Sequence, residues 1–157
     1  SYNLPIKPSP NLPNSQSIAL YPSLCLFEGT DMSVGRGTSQ QFQVIGSPKL
    51  DSCFYSFIPI SGQGAKYPKH ENKDCCGWDL RDIKVQNQVE LEYLIESYRQ
   101  YEEMDERFFN SFFDKLAGSS QLRIQIESGW SSDQIKQTWK DDLDTFKKKR
   151  QLYLIYP

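Results

Sequence analysis

The chain has 157 residues, a length that suits one domain with a sizeable core. Hydrophobic residues make up 38% and charged residues 24%, which is typical of a globular protein and excludes a disordered one. The formal net charge is −2, and acidic and basic residues are interspersed along the chain. This pattern gives no positive field that would attract the phosphates of a nucleic acid, so we predict no nucleic-acid partner. No apolar run approaches the roughly 20 residues of a membrane span.

The first residues are rich in proline. Residues 3–13 contain four prolines, each of which fixes φ and removes a backbone donor, so this segment must run extended. We predict a linker, or an arm laid over a neighbour, at residues 1–16, followed by one domain at residues 17–157. A start at Ser1 and not at Met suggests a processed or excised fragment.

The first half of the domain has the pattern of strands and loops. Short apolar or alternating runs lie between turn signals, and a further strand-like run follows a polar loop. The predicted strands are residues 17–20, 24–27, 42–45, 53–60 and 75–81.

The second half has helical spacing. Apolar residues recur at every third or fourth position over residues 91–101, which predicts one stripe of a helix. Asp105 is the predicted cap of a second helix, which Gly118 ends. Its phenylalanine-rich stripe at residues 108–113 favours core packing over ligand binding because the spacing is helical.

The C-terminal region predicts two further helices. Ser119 or Ser120 caps a short one that ends near Gly129, and Ser131 with Gln134 has the spacing of a capping box. The helix that follows this box has apolar positions at Ile135, Trp139, Leu143 and Phe146. Its last turn holds the basic residues 147–150, and residues 153–156 form a predicted closing strand.

Together these elements predict an α+β fold. The sheet is small and mostly antiparallel or mixed, it lies in the first half, helices pack on one face, and the C-terminal helix precedes a short strand.

Cysteine and histidine content predicts neither a metal site nor a cofactor. The four cysteines are Cys25, Cys53, Cys75 and Cys76. They form no C-x-x-C pair. An even count permits disulfides, but Cys25 and Cys53 lie in apolar runs, which favours free buried thiols. The sole histidine, His70, lies in a polar run typical of an exposed loop, which argues against a catalytic triad.

A glycine-punctuated stretch at residues 26–38 is the first candidate site. It carries Glu28, Thr30 and Arg36, and its spacing matches neither a phosphate loop nor a dinucleotide fingerprint. The guanidinium of Arg36 suits either Glu28 across the loop or an acidic group on a ligand. Composition alone favours the internal ion pair.

Two more stretches are candidate binding loops. Lys66 follows a glycine-rich strand end, and an ordinary turn with a solvated lysine is the alternative. Trp78 and Asp79 combine an aromatic plate with a carboxylate, as sugar sites do, although a core role suits Trp78 equally well. Glu28 and Asp79 are the only plausible local carboxylate pair for glycoside hydrolysis.

These motifs, in this order, resemble the C-terminal domain of the NamZ-type exo-β-N-acetylmuramidase family. The matching residues are 20–23, 27–30, 33–38, 64–66, 76–80, 113–118, 139, 143, 146, 150 and 153–157. The resemblance covers nearly the whole chain. Gln41 before Phe42, where the family usually has proline, and Cys75 beside the expected cysteine depart from the pattern.

The resemblance implies a two-domain protein that removes N-acetylmuramic acid from the non-reducing end of peptidoglycan fragments outside the cytoplasm, in the periplasm, at the cell surface or after secretion. The family's catalytic glutamate belongs to an N-terminal Rossmann-like domain, so no residue here is expected to be catalytic and the isolated domain is expected to be inactive. The arm corresponds to the interdomain connection. The expected ligand is a muropeptide or another saccharide that contains N-acetylmuramic acid.

The resemblance also gives the candidate residues roles. We expect Arg36, helped by Lys66, to pair with the lactyl carboxylate of muramic acid, while Glu28, Thr30 and Asp79 order the loops or bind sugar hydroxyls. Three alternatives stay open: an independent carbohydrate-binding module, a self-sufficient hydrolase that uses Glu28 and Asp79, and a non-enzymatic interaction domain.

Overall fold

The computed structural model describes residues 5–51 and 53–156. Its regular elements are α1 (Ser15–Leu24), a 3-10 turn (Cys25–Gly29), β1 (Val44–Ser47), β2 (Tyr55–Phe57), β3 (Cys75–Asp79), α2 (Glu92–Glu103), α3 (Phe113–Ala117), α4 (Gln121–Glu127), α5 (Ser132–Thr138) and α6 (Lys140–Gln151). A small sheet with helices around it confirms the α+β class.

The sheet has three antiparallel strands in the order β1-β3-β2. Because side chains alternate along a strand, Ile45 and its partner Trp78 face the main core with the helices, whereas Val44, Phe57 and Cys75 form a small cluster on the other face. The helices therefore pack on one face, as the sequence predicts.

The first two predicted strands are wrong, because residues 17–20 lie in α1 and residues 24–27 pass from α1 into the 3-10 turn. Asn14 begins α1 with a capping box, in which its side-chain oxygen accepts from the Ser17 amide at 2.9 Å. This cap favours a helix locally, and apolar runs of four residues are too short to distinguish a strand from a helix.

The remaining strands of the first half occur close to their predicted places. Strand β1 begins two residues after the predicted start at position 42, and β2 is confined to three residues within the predicted range 53–60. Strand β3 begins at Cys75 as predicted.

Residues 106–112 of the phenylalanine-rich segment are not helical, and α3 begins only at Phe113. Asp105 is not a cap, because it has φ +53° and turns the chain after α2. Phe109 then pairs with Thr30 in an isolated β-bridge, and the Asp31 amide donates to the Phe108 carbonyl at 2.8 Å. The core role is nevertheless confirmed for Phe108, Phe109 and Phe113, which are all buried. Gly118 ends α3 with φ +81°, as predicted.

The capping box at Ser131 is confirmed, but the single helix predicted after it is divided into two. The Ser131 hydroxyl accepts from the Gln134 amide at 3.3 Å, and the Gln134 side chain accepts from the Ser131 amide at 2.9 Å. Two helices, α5 and α6, meet at Trp139 where one was predicted. Residues 153–156 form no strand, since they are exposed and no described strand lies beside them.

Cys53 and Cys76 form a disulfide, so the expectation of a free thiol at Cys53 is wrong. Their Cα atoms lie 5.2 Å apart, because Cys53 lies two residues before β2, which pairs with the β3 strand that contains Cys76. Cys25 is free and half-buried, while Cys75 is free and buried, which raises its pKa to about 12. Among the described residues, no helix is both long enough and apolar enough to cross a bilayer.

Candidate functional site

A cavity of about 350 Å³ lies between the loop that follows the 3-10 turn and the loop that joins β2 to β3. Glu28 lies in the 3-10 turn itself and Arg36 in the loop that follows it, while Lys66 and Lys69 lie in the loop between β2 and β3. The Ile60 amide donates to the Gly37 carbonyl at 2.8 Å and holds the two loops together. The fold thus brings three of the five predicted site residues, Glu28, Arg36 and Lys66, to one cavity.

Glu28 and Arg36 form the internal ion pair that composition favoured. The Nη1 atom of Arg36 lies 2.6 Å from Oε1 of Glu28, and Nη2 donates to the Gly64 carbonyl at 3.3 Å. The side chains of Arg36 and Glu28 are still 40% and 28% exposed. Since a guanidinium has five N–H donors, Arg36 keeps donors for a ligand while Glu28 fixes its orientation.

Lys66 stands on the rim of the cavity, and its ammonium lies 5.4 Å from the centroid of the exposed Tyr67 ring. The loop before it is held by the proline-rich segment, because the Asn11 side chain donates to the Gly64 carbonyl at 2.8 Å. Gly64 has φ +81°, and a Cβ there would come within 2.7 Å of Pro10, so the close approach of this segment requires glycine.

Thr30 lies outside the cavity lining and is buried beneath it. Its hydroxyl donates to the Phe27 carbonyl at 2.9 Å and accepts from the Met32 amide at 3.1 Å. Both bonds shape the end of the 3-10 turn that carries Glu28. Of the two expected roles, this geometry supports ordering of the loop.

Asp79 also lies outside the cavity lining, at the end of β3. It forms an ion pair with Arg81, whose Nη2 lies 2.6 Å from Oδ2 of Asp79, and this bond lowers the pKa of the carboxyl group. Trp78 is half-buried and packs edge-on against Tyr93 at 6.2 Å, which supports its core role. Asp79 and Glu28 therefore do not share this cavity.

Lys69 is a cavity residue that sequence reasoning missed. Its ammonium donates to the carbonyls of Phe27 at 3.4 Å and Met32 at 3.0 Å, and to that of Thr30. Burial lowers the pKa of this amine. Lys69 thus ties the second loop to the backbone on both sides of Glu28. No sequence signal marks it, because it lies in a polar run that is typical of solvated lysines.

The expectation that His70 lies in an exposed loop is wrong, because its side chain is only 12% exposed. Nε2 lies 2.5 Å from the Asp31 carbonyl oxygen, which only accepts, so this nitrogen carries the proton. Burial lowers the pKa of the imidazole. Asp31 also accepts from the Tyr101 hydroxyl at 3.0 Å and lies 3.0 Å from the Lys49 ammonium. These contacts fix the loop behind the cavity.

Comparison with known families identifies the chain. The family model described as "Exo-beta-N-acetylmuramidase NamZ, C-terminal" matches residues 19–156. The chain belongs to this family. All four charged residues of the cavity lie within the matched range. The resemblance stated from the motifs is therefore confirmed.

Two members similar to this chain are longer than it is. The peptidoglycan β-N-acetylmuramidase NamZ of Bacillus subtilis (strain 168) is 34% identical over 166 residues, which cover 96% of this chain and 40% of that protein. A crystal structure of a DUF1343 family protein from Bacteroides fragilis NCTC 9343 matches with a TM-score of 0.92 and 47% identity over 99% of this chain and 45% of that one. The NamZ C-terminal unit thus spans less than half of either relative.

The described residues also bear on metal chemistry. Within residues 5–51 and 53–156, no group of three or more His, Cys, Asp and Glu side chains is arranged to hold a metal ion. The charged side chains that line the cavity are Glu28, Arg36, Lys66 and Lys69.

Proposed function

We propose that this chain is the substrate-facing C-terminal domain of a peptidoglycan-degrading exo-β-N-acetylmuramidase, and that an N-terminal Rossmann-like domain of the same protein supplies the catalytic group. Membership of the NamZ C-terminal family supports this proposal, as does a relative named for peptidoglycan hydrolysis of which the chain spans 40%. The observation that carries it is the cavity in which Glu28 orients Arg36 beside Lys66.

The charge of the cavity suits an anionic sugar. Its lining holds three cations, Arg36, Lys66 and Lys69, against one carboxylate, Glu28. N-acetylmuramic acid carries a lactyl carboxylate, and an oriented guanidinium binds a carboxylate through paired hydrogen bonds. A volume of about 350 Å³ lies at the lower end of the range for small-molecule sites, which suits one sugar unit.

Replacement of Arg36 by Ala in the two-domain protein tests this assignment. We expect kcat/KM for a para-nitrophenyl N-acetylmuramide to fall about 10- to 100-fold, the equivalent of one lost charged hydrogen bond, with a much smaller fall for the lactyl-free N-acetylglucosaminide. Arg99→Ala, which removes an exposed guanidinium on α2, is the matched control. An unchanged ratio between the two substrates would contradict the role of Arg36.

Chromophore release by the 157-residue chain, measured beside the two-domain protein, tests where catalysis resides. We expect turnover only when the N-terminal domain is present. Saccharide binding without turnover by the chain alone would favour a carbohydrate-binding module, and turnover would move catalysis onto Glu28. Because Asp79 lies outside the cavity, the geometry does not favour the self-sufficient pair of Glu28 and Asp79.

We also propose that the protein works outside the cytoplasm, in the periplasm, at the cell surface or after secretion, and contributes to cell-wall recycling. Its proposed substrate occurs there, and the Cys53–Cys76 disulfide supports this location because such bonds persist in oxidising compartments. Cell fractionation of the source organism tests it. Recovery of the protein in the cytosol with both thiols reduced would overturn it.

A further inference from the structure

The last helix, α6, has an apolar stripe that nothing in the described part of the chain covers. Every residue from Lys140 to Tyr156 is exposed, and α6 contains no buried residue. Leu143 and Phe146 share one face of the helix and are 46% and 60% exposed. Trp139, one turn earlier on the same stripe, packs against the core. The stripe thus begins on the core and continues into open space.

The segment after α6 carries further exposed apolar side chains. Its large exposed side chains are Leu152, Tyr153, Leu154, Ile155 and Tyr156. A helix of twelve residues without a buried face is only marginally stable in water, and an apolar stripe on such a helix is typical of one that packs against something. Large apolar side chains exposed in such number on one short stretch of chain are typical of an interaction site.

Both relatives extend well beyond the part that matches this chain. The match to the Bacteroides fragilis structure includes 99% of this chain, and therefore α6, with a TM-score of 0.92. More than half of that protein lies outside the match, and the family model places the matched part at the C-terminal side. The helix thus keeps its place in a longer protein, although the matching domain alone supplies no packing for it.

We propose that the α6 face, formed by Leu143, Phe146 and residues 152–156, is the docking surface for the N-terminal domain of the same protein. This inference rests on the two-domain organisation proposed above. Arg150 follows Phe146 by four residues on the same face and has no ion-pair partner among the described residues. The surface that covers this face therefore includes an apolar patch opposite Leu143 and Phe146.

Hydrogen exchange read by mass spectrometry tests the docking surface. In the two-domain protein, we expect the amides of residues 140–156 to exchange at least about tenfold more slowly than in the 157-residue chain. The double change Leu143→Ser and Phe146→Ser should abolish this protection. The matched double change Thr145→Ser and Lys148→Ser, on the opposite face of α6, should preserve it.

Two results would overturn the inference. Equal exchange of residues 140–156 in both proteins would show that the N-terminal domain does not cover α6. Protection in the shorter chain that grows with its concentration would assign the face to a second copy. Hydrogen exchange can be measured without enzymatic turnover. Slow exchange of α6 in a two-domain protein that releases no muramic acid would therefore contradict the proposed activity but still support the docking surface.

Discussion

At the scale of single residues, Lys69 holds the cavity wall through charged hydrogen bonds to backbone carbonyls on both sides of Glu28. We expect Lys69→Met to lower the free energy of unfolding by about 2 kcal/mol, because these partly buried carbonyls lose a charged donor. Lys66→Met makes the same chemical change at an exposed position, so it should change the free energy of unfolding by no more than about 0.5 kcal/mol. Urea denaturation measures both variants, and equal losses would refute the anchoring role of Lys69.

His70 should make stability depend on pH. Because burial lowers the pKa of the folded imidazole below 6.5, the unfolded chain binds more protons than the folded one just under that pH. The stability that His70 contributes in its neutral form is fully present above pH 6.5 and is lost as the pH falls toward the pKa of the folded imidazole.

His70→Asn isolates this effect, because asparagine tolerates the φ of +58° at this position. Between pH 7 and 5, the free energy of unfolding of the variant should fall less steeply than that of the parent, as thermal or urea unfolding would show. Parallel profiles would mean that His70 does not titrate differently in the two states. Asp31, Lys69 and Lys73, the neighbouring charged groups, are unchanged in the comparison.

Residue chemistry drew attention to the glycine-rich loops that carry Glu28, Arg36 and Lys66, but it left an internal ion pair and an ordinary turn open, and only the family resemblance gave these residues binding roles. It did not reveal Lys69 or His70. Their run of polar residues has the composition of a solvated loop, and only tertiary packing against the Phe27–Met32 backbone buries them.

At the scale of elements, the capping box of α5 gives a matched comparison with the start of α4. The Ser131 hydroxyl caps α5, whereas the Ser120 side chain makes no capping hydrogen bond at α4. Ser131→Ala should lower the free energy of unfolding by about 1 kcal/mol, and Ser120→Ala by a few tenths at most. Chemical denaturation resolves the difference, and equal losses would show that this cap contributes little.

Long periodic patterns predicted α2 and the start of α5 well, but the helix predicted from Asp105 forms only as the short α3, and the last predicted helix is divided at Trp139. Helix α2 and the capping box of α5 occur where the spacing placed them, since an amphipathic stripe and a box leave little choice. Short apolar runs were wrongly predicted as strands. Residues 17–20 lie in α1, which Asn14 caps, and residues 153–156 have no described strand to pair with. Such runs take the structure that their tertiary neighbours impose.

At the scale of the whole molecule, the Cys53–Cys76 disulfide links the chain before β2 to β3 and closes a loop with a sequence separation of 23. That loop contains Lys66, Lys69 and His70, so a covalent link and the sheet together fix one wall of the cavity. Sequence could not pair these cysteines, because four cysteines permit several connectivities and the free Cys75 is next to Cys76.

Reduction should therefore affect both stability and the site. Loss of a link across this span raises the entropy of the unfolded chain, and we expect Cys53→Ser with Cys76→Ser to lower the free energy of unfolding by about 3 kcal/mol. Cys25→Ser removes a half-buried thiol outside the link and should cost far less. Proteolysis of the native protein adds a local readout, because cleavage between Cys53 and Cys76 should accelerate more than cleavage in α2. Uniform acceleration would mean that the disulfide stabilises the fold as a whole and does not specifically hold the cavity wall.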